Sequence, residues 1–527
     1  MKKLLCICLT MVLLLSLCLS VSAANGDEIV KDGVIYKSYQ DRYWAVVGYT
    51  DDLPAVVNIP DSVDGMPVNS VERSAFAECT ALTAITLPDS VTYISTGTFF
   101  KCSNLATVSV SNKLTDIGKE AFFGCTALIA FTIPDSVTTI QQNAFEGCKM
   151  LTDVTLPKGL TCLEWRTFSG CESLASIDLP DSLTAIGIGA FSGCRKLTEV
   201  VVPDGVTLIG AAAFANCDNL RSVILPDNVK YIGEQAFIGT AALKDKNNHY
   251  EGVAYLGKHA VWCVDPSIEM VRIRPSTKTI ADYTFEGCTR ITKVEIPDSV
   301  VSIGNYAFYN CLHLPSIAIP DSVEYLGFEV FSDCNDLDTV ILGAGITTIE
   351  EYTFYDCPRL STVFFTSAVT EIKVGAFGKC DALATIYYSG SKAQGKAITI
   401  GEANEPLTKV EWTYNAIKKP PLPTATTTTS TTSKPSTTAT TIETTTTTEA
   451  PTTTTAEIPA TTTAVVTTAT KTVTTAATTA PVAEEQETIG DADEGNNNRG
   501  IMISIVVAAV VIAAAVTIIL MIRKKKK

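Results

Sequence analysis

The stretch FFGCTALIAFTIPDSVTTIQQNA, residues 122–144, is one unit of a repeat that runs through most of the chain. A cysteine recurs every 23 residues, and a phenylalanine stands three residues before each cysteine. The twelve cysteines of this column lie at positions 79, 102, 125, 148, 171, 194, 217, 288, 311, 334, 357 and 380. Phe237 adds a thirteenth unit, in which Thr240 replaces the cysteine. A fixed period of this length indicates a solenoid, because one short unit cannot bury its own apolar side and must stack on its neighbours.

The first half of the unit predicts a short strand that ends in a turn. Leu128, Phe131 and Ile133 match the L-x-x-L-x-L pattern that leucine-rich repeats place on a strand. Phe131 and Ile133 are two residues apart, so they share one face of that strand. Pro134 stops the strand because it has no N–H for the ladder, and residues 135–136 are typical turn formers.

The second half of the unit predicts a helical turn. Ala144, Phe145 and Cys148 follow at helical spacing, and we expect all three side chains to face the core. The predicted fold class is an α/β-type repeat solenoid: a leucine-rich-repeat horseshoe or rod with a parallel concave sheet, short strands and helical turns on the convex side. Stacked ~4.8 Å apart, the strands of all the repeats would form a concave sheet ~60 Å long.

The unit closely resembles the repeat of the BspA-type leucine-rich-repeat family of microbial cell-surface proteins. Its pattern is Ile-Gly-x-x-Ala-Phe-x-Gly-Cys-x-x-Leu-x-x-Val-x-Ile-Pro-Asp-Ser-Val-Thr, nearly intact at 186–207. The resemblance covers about residues 30–415. It implies adhesion to matrix proteins, other microbes or polymers, and it carries no catalytic motif. Gly395 departs from the family, since a tryptophan is expected there, and the packing of the last coil is left open.

Composition divides the chain into further segments. The predicted order is a signal peptide over 1–24, an N-terminal cap over 25–71, a first block of repeats over 72–243, a hairpin insert over 244–279, a second block over 280–385, a C-terminal cap over 386–415, a Thr-rich disordered stalk over 416–500, a transmembrane helix over 501–522 and a basic cytoplasmic tail over 523–527. The stalk resembles an O-glycosylated spacer. In the insert, two short apolar runs around residues 257–259 predict a β-hairpin that projects from the stack.

The two apolar ends predict where the protein resides. Residues 1–24 combine a basic start, an apolar run and small residues at the end, which is typical of a secretory signal peptide. Residues 501–522 would span ~33 Å as a helix, enough to cross a bilayer. The basic residues that follow would stay in the cytoplasm. The sequence therefore predicts a single-pass protein of the cell membrane, held by its C-terminal helix, with the N-terminal solenoid outside.

Charge and residue types disfavour several classes of function. The formal net charge of −16 disfavours nucleic acid as a partner. The three histidines are scattered, and the recurring acidic residues lie on repeat turns, so we expect no enzyme, no catalytic residue and no cofactor. A row of Pro-Asp turns would attract Ca²⁺ only weakly, and turn capping is the favoured reading, with no metal site.

The cysteine column admits either free thiols or disulfides between neighbouring coils. Free cysteine behaves as a small buried hydrophobe, and this reading is favoured over pairing. Cys162 and Cys263 lie off the column and are the more reactive candidates.

Candidate binding residues are the aromatic and apolar side chains that break the repeat pattern in the second block. They are Ile341, Phe364 and Tyr387 on neighbouring strands of the concave sheet, and Tyr306, Tyr309, Tyr352 and Tyr355 at outward positions of the turns. Exposed aromatic residues are enriched at binding hot spots. The alternative is that Phe364 and Tyr387 pack under the C-terminal cap.

The predicted function is that of a cell-surface adhesin or binding protein on a Thr-rich stalk, which recognises an extracellular protein or polymer. One alternative is a lectin-like module that binds polysaccharide, and a wall-degrading enzyme is the rival class. The sequence leaves the ligand and the oligomeric state open.

Overall fold

The computed structural model describes residues 26–40 and 42–422. The predicted signal peptide, most of the stalk, the transmembrane helix and the basic tail lie outside these ranges. Over the described ranges, no helix is long and apolar enough to cross a membrane. The described chain is a stack of coils, and most coils carry two short strands that are separated by the proline turn.

A small sheet forms the N-terminal cap. Its strands are β1 (Glu28–Lys31), β2 (Val34–Tyr39), β3 (Tyr43–Tyr49), β5 (Ser62–Val63) and β6 (Met66–Val71). The first three are antiparallel, β6 runs parallel to β3, and β5 pairs antiparallel with β6. Val34, Tyr36 and Trp44 are buried, and Tyr49 stacks on Phe76 of the first repeat. The cap thereby closes the open end of the repeat core.

The strand before the repeat turn, which begins with proline in most repeats, is here termed the first strand, and it pairs in parallel with its neighbours. These strands are β4 (Val56–Asn58), β7 (Ala84–Thr86), β9 (Thr107–Ser109), β11 (Ala130–Thr132), β13 (Asp153–Thr155), β16 (Glu199–Val201), β18 (Ser222–Ile224), β23 (Met270–Arg272), β25 (Lys293–Glu295), β27 (Ser316–Ala318), β29 (Thr339–Ile341), β31 (Thr362–Phe365), β33 (Thr385–Tyr388) and β35 (Trp412–Tyr414). Phe131 is buried while Ala130 and Thr132 are exposed, as strand alternation requires. Instead of one continuous sheet, the described first strands form five short ones.

A two-residue strand after each proline turn, here termed the second strand, builds another parallel stack. These strands are β8 (Tyr93–Ile94), β10 (Asp116–Ile117), β12 (Thr139–Ile140), β14 (Cys162–Leu163), β15 (Ala185–Ile186), β17 (Leu208–Ile209), β19 (Tyr231–Ile232), β24 (Thr279–Ile280), β26 (Ser302–Ile303), β28 (Tyr325–Leu326), β30 (Thr348–Ile349), β32 (Glu371–Ile372) and β34 (Thr399–Ile400). In the repeats the second residue of each points inward and is buried. The sequence did not predict this stack, because two residues are too few to show a strand period.

Tight turns, and not the predicted helical turns, close each described repeat. Asn143 and Gly147 have positive φ values of 59° and 75°, which a right-handed helix does not allow. The N–H of Asn143 donates to the carbonyl of Trp165, and that of Phe145 to the carbonyl of Thr167. The turn backbone is thus hydrogen-bonded to the next coil, whereas the backbone of a helix would be hydrogen-bonded within its own coil. The horseshoe outline stays a prediction.

Helices occur only beside the insert and in the C-terminal cap of the described chain. They are α1 (Ala241–Lys244), α2 (Lys392–Ala397) and α3 (Glu405–Thr408), with a short 3₁₀ turn at Lys246–Asn248.

The phenylalanine column forms the centre of the core. Its rings stack at centroid distances between 4.9 and 5.7 Å, first from Phe76 to Phe237 and again from Phe285 to Phe377. The cysteine column lies beside it, with every thiol buried and free. The Cys102 thiol donates to the carbonyl of Phe76. Most other column thiols likewise donate to the carbonyl of the core phenylalanine in the preceding repeat. These hydrogen bonds satisfy the thiols without disulfides.

The insert forms a hairpin that is packed inside the stack. Its strands are β20 (His249–Tyr250), β21 (Val253–Leu256) and β22 (His259–Cys263), all antiparallel. All four residues of β21 are buried, so the expectation that the hairpin projects is wrong. Ala254 and Leu256 pack into the core of the first block, while Val253 and Tyr255 pack into the core of the second. The hairpin is therefore a wall between two cores, with an apolar set on each face.

The C-terminal cap closes the other end. Gly395 is buried, and a side chain there would lie 2.5 Å from the Tyr414 ring and 3.3 Å from the Tyr388 ring. These two rings fill the space above Gly395 that a larger side chain would need. After β35 the chain turns back: Ala416 N donates to Tyr388 O at 3.1 Å, and Lys419 pairs with Asp321 at 3.3 Å. Residues 415–419, here termed the closing segment, thus extend the cap past the predicted boundary at residue 415.

Candidate binding surface

Three tyrosines occupy the same strained position of the repeat turn. Tyr283, Tyr306 and Tyr352 stand two residues before the core phenylalanine, with φ values of 56°, 54° and 55°. In the first block the position holds residues without a ring: Ser74, Gly97, Glu120, Asn143, Arg166, Gly189, Ala212 and Gln235. A bulky side chain in the left-handed region is an outlier that costs free energy. The fold accepts glycine, serine and long polar side chains there with the same positive φ, so folding alone does not require the rings.

Four aromatic side chains assemble on the turns of three successive repeats. The Tyr283 and Tyr306 rings stack at 4.6 Å, with 21° between their planes. Tyr309 and Phe328 both meet the Tyr306 ring edge-on, at 5.6 and 5.0 Å. Phe328 is 38% exposed, and the three tyrosines are half-buried. We term this group, Tyr283, Tyr306, Tyr309 and Phe328, the aromatic strip.

Carboxylates accompany the aromatic strip. The Tyr306 hydroxyl donates to Glu329 Oε1 at 3.0 Å, and burial together with Glu329 raises the pKa of Tyr306 to about 12. The neighbouring Asp333 carboxylate, together with burial, raises the pKa of Tyr309 to about 12. Burial raises the pKa of Glu329, and the nearby Asp333 raises it further. Burial and the nearby Glu234 raise the pKa of Glu286 in the same way. The strip therefore lies in a field of negative charge.

The other two predicted tyrosines form a separate pair. Tyr352 and Tyr355 meet edge-on at 5.4 Å. The Lys379 ammonium lies 4.6 Å from the centroid of the Tyr355 ring and 2.8 Å from Asp356. A cation of the chain itself thus occupies the face of this pair, and only Tyr306 and Tyr309 among the four predicted turn tyrosines belong to the strip.

The predicted residues of the concave sheet are mostly covered. Ile341 and Phe364 are 5% and 3% exposed, and Tyr387 is half-buried. Phe364 shares a cleft with Asn415, Ala416 and Lys419 of the closing segment, which lies across these strands. The expectation that Ile341 and Phe364 are exposed is wrong. The alternative, packing of Phe364 and Tyr387 under the C-terminal cap, stays a prediction, with Phe364 buried and Tyr387 half-buried.

A comparison with protein families decides the identity of the repeat. The pattern described as "BspA type Leucine rich repeat region" matches residues 57–152, 139–261 and 261–384, in six copies. The chain belongs to the BspA-type leucine-rich-repeat family. The prediction made from the repeat unit is thereby confirmed.

Solved structures of bacterial leucine-rich-repeat proteins are similar to this BspA-type chain. A leucine rich cell surface protein from Faecalibacterium prausnitzii is 28% identical, with a TM-score of 0.37, over 72% of this chain and 99% of that one. A leucine-rich repeat protein from Bacteroides ovatus is 26% identical, with a TM-score of 0.42, over 73% of this chain and 99% of that one. No curated protein matches the chain.

Sequence reasoning missed part of the aromatic strip of this BspA-type repeat. Tyr283 is not among the predicted residues, although it shares the register position of Tyr306. Phe328 lies one position earlier in its repeat, so no column contains it. Glu329 and Asp333 were not considered, because their proximity to the tyrosines arises from stacking 23 or 24 residues apart. A column-by-column comparison of the turn positions would have found all of these residues except Phe328.

Other titratable groups of the BspA-type chain are buried within the fold. His259 is fully buried, and desolvation lowers its pKa to about 4, so its ring is neutral at pH 7. Cys263, which sequence placed off the column, is buried, and its thiol donates to the carbonyl of Asp265 at 3.2 Å. Over the described part of the chain, no group of three or more His, Cys, Asp and Glu is arranged to hold a metal ion.

Proposed function

We propose that this BspA-type protein is a cell-surface adhesin that binds an extracellular protein through the aromatic strip of its second block. The observation that carries the proposal is the set of tyrosines at a left-handed turn position, where the repeat elsewhere has no ring. A positive φ recurs at this position in both blocks, so the rings, and not the backbone conformation, distinguish these repeats and indicate a function. Binding is that function, because stacked aromatic rings on a rigid scaffold form a hot spot with little entropy to lose.

The surroundings of the aromatic strip suit recognition by contact. The turn backbone that carries it is hydrogen-bonded to the neighbouring coils, as when Tyr283 N donates to Asn305 O and Tyr306 N to Phe328 O. The rings are therefore held in place before a partner arrives. No chemical step is proposed, and the protein is a binding protein without catalytic activity.

Surface location is part of the proposal. The similar protein from Faecalibacterium prausnitzii is described as a cell surface protein. The predicted signal peptide, Thr-rich stalk and C-terminal membrane helix of this chain would place the solenoid outside the cell on a spacer.

The test is a capture assay with the full-length chain purified in mild detergent. Immobilised extracellular matrix proteins and insoluble polysaccharides are compared as targets. Tyr306→Ser combined with Tyr309→Ser should abolish capture of a protein target and leave the melting temperature within a few degrees. The matched control is Phe100→Ser, since Phe100 has the register position of Tyr309 and also stacks on a ring, Phe123, at 5.0 Å.

The result separates the proposal from its alternatives. Full capture by the double variant would reject the aromatic strip as the contact surface. Capture of polysaccharide but not of protein, lost in the same variant, would assign the strip to a lectin-like function instead.

A further inference from the structure

On the premise of the proposed function, we infer that the partner presents cationic side chains, so that the aromatic strip binds an arginine- or lysine-rich protein segment. Several other aromatic rings on the surface of the chain lie under a cation of the chain itself, whereas the charged side chains around the aromatic strip are carboxylates.

Elsewhere on the turns, cations of the chain lie over three aromatic rings. Lys101 lies 4.9 Å from the centroid of Phe100, and Arg166 lies 5.6 Å from that of Trp165. Lys379 lies 4.6 Å from the centroid of Tyr355. A cation over a ring face is attracted by the ring quadrupole. The turn surface thus satisfies its aromatic faces internally wherever a basic residue is available.

At the aromatic strip, the repeat position that holds a lysine beside Tyr355 holds a carboxylate instead. Tyr355 and Lys379 are 24 residues apart, and Tyr309 and Asp333 are also 24 residues apart. Asp333 therefore occupies beside Tyr309 the place that Lys379 occupies beside Tyr355. Over the described residues, no lysine or arginine lies on a ring of the strip.

The carboxylates around the aromatic strip are also without a basic neighbour. None of the ion pairs in the described ranges includes Glu234, Glu286, Glu329 or Asp333. Glu329 instead accepts a hydrogen bond from Tyr306, Asp333 lies beside Tyr309 and Glu329, and Glu286 lies near Glu234. Unneutralised carboxylates beside uncovered rings favour a cation from outside, which would gain from both.

Charge also selects the kind of partner. The chain carries a formal net charge of −16, so a basic segment approaches it with favourable long-range attraction. An arginine suits the surface best, because its planar guanidinium stacks on a ring while its N–H groups donate to a carboxylate.

The experiment measures binding of two labelled peptides to the full-length chain by fluorescence anisotropy. One is a ten-residue peptide of alternating arginine and glycine, and the other has citrulline in place of each arginine, which keeps the shape and removes the charge. We expect the arginine peptide to bind at least tenfold more tightly, and this difference should shrink as salt is raised.

Two variants test whether the binding occurs at the aromatic strip. Asp333→Lys recreates the Tyr355–Lys379 arrangement at Tyr309. It should weaken binding of the arginine peptide at least tenfold, because the introduced lysine then competes for the ring. Glu329→Gln should weaken it severalfold. Phe100→Leu should have no effect, and circular dichroism melting checks that each variant is folded.

The possible results distinguish this inference from the proposed function. Equal binding of both peptides, or unchanged binding by Asp333→Lys, overturns the cationic partner. If a matrix protein is nevertheless lost in the Tyr306→Ser, Tyr309→Ser variant, the proposed function stands with a different partner chemistry. If that variant still binds both the matrix protein and the arginine peptide, the proposed function and the cationic partner are both rejected.

Discussion

The Tyr231 hydroxyl donates a hydrogen bond of 2.6 Å to Asp282 Oδ2, and it thereby joins the last coil of the first block to the start of the second. The backbone N–H of Asn305 donates to Asp282 Oδ1 at 2.8 Å, and the Asn305 amide donates to Oδ2 at 3.2 Å. The Lys230–Glu324 ion pair spans the same junction at 3.2 Å. The hairpin insert interrupts the phenylalanine stack here, so polar contacts take over part of the connection between the blocks.

Asp282 makes this junction sensitive to pH. Desolvation raises its pKa to about 6, against an unfolded value near 4. Because the folded-state pKa is the higher one, the folded state binds the proton more tightly. The stabilisation is fully present below about pH 4 and is lost as pH rises through about 6, by ~3 kcal/mol at most.

The measurement compares urea unfolding of the protein and of Asp282→Asn at pH 4.5 and pH 7.5. The asparagine does not titrate, so its free energy of unfolding should fall by less between the two pH values than that of the unaltered protein. The other carboxylates titrate equally in both and cancel in the comparison. Identical pH dependence of the two proteins would contradict the assigned role of Asp282.

The phenylalanine stack should dominate stability. Phe145 is fully buried between Phe122 and Phe168, with centroid distances of 5.1 and 5.3 Å. Phe145→Ala should lower the free energy of unfolding by about 3–5 kcal/mol, since it leaves a cavity that neighbouring coils cannot fill. Urea unfolding followed by circular dichroism measures the loss. Phe100→Ala, at a half-buried turn position, is the control and should cost clearly less.

Phe364 should behave as a core residue and not as a ligand contact. Phe364→Ser removes a buried ring and leaves a hydroxyl in its place, so the melting temperature should fall by several degrees, for a cost of ~3 kcal/mol. Capture of the target per folded molecule should be unchanged. Lys419→Ala should change stability by less than about 1 kcal/mol, because the Lys419–Asp321 pair is largely exposed. Loss of capture without loss of stability in Phe364→Ser would return this residue to the binding surface.

The described cysteines should differ sharply in reactivity. Burial raises the pKa of the column thiols such as Cys148, so almost no thiolate is present at pH 8. Cys162 is partly exposed on a second strand and should be alkylated first. Peptide mapping by mass spectrometry after brief alkylation of the native protein measures each site, and Cys162→Ser should remove the fast phase. Equal labelling of Cys148 and Cys162 would show that the column is open to solvent.

Local spacing predicted some features correctly and misjudged others for a physical reason. Ala144, Phe145 and Cys148 face the core as their spacing indicated. The same spacing fits both a helix and a turn in which some residues have positive φ values. The choice between them depends on whether the N–H of Phe145 bonds within its own coil or to Thr167 of the next, and no local pattern contains that information. The prediction of a projecting hairpin was wrong for a similar reason: an apolar strand indicates that its side chains are buried, but not which part of the chain buries them.

The sequence by itself determined the repeat, its family and its core, since a period of 23 residues brings every phenylalanine onto the one before it. It also placed Tyr306 and Tyr309 on the outer surface. Only the tertiary structure decided that Phe364 is buried beside a cleft that it shares with the closing segment, that the hairpin separates two cores, and that Asp333 lies beside Tyr309 where Lys379 lies beside Tyr355. Each of these depends on contacts between residues from different coils or from the chain's closing segment, and such contacts form only when the coils stack.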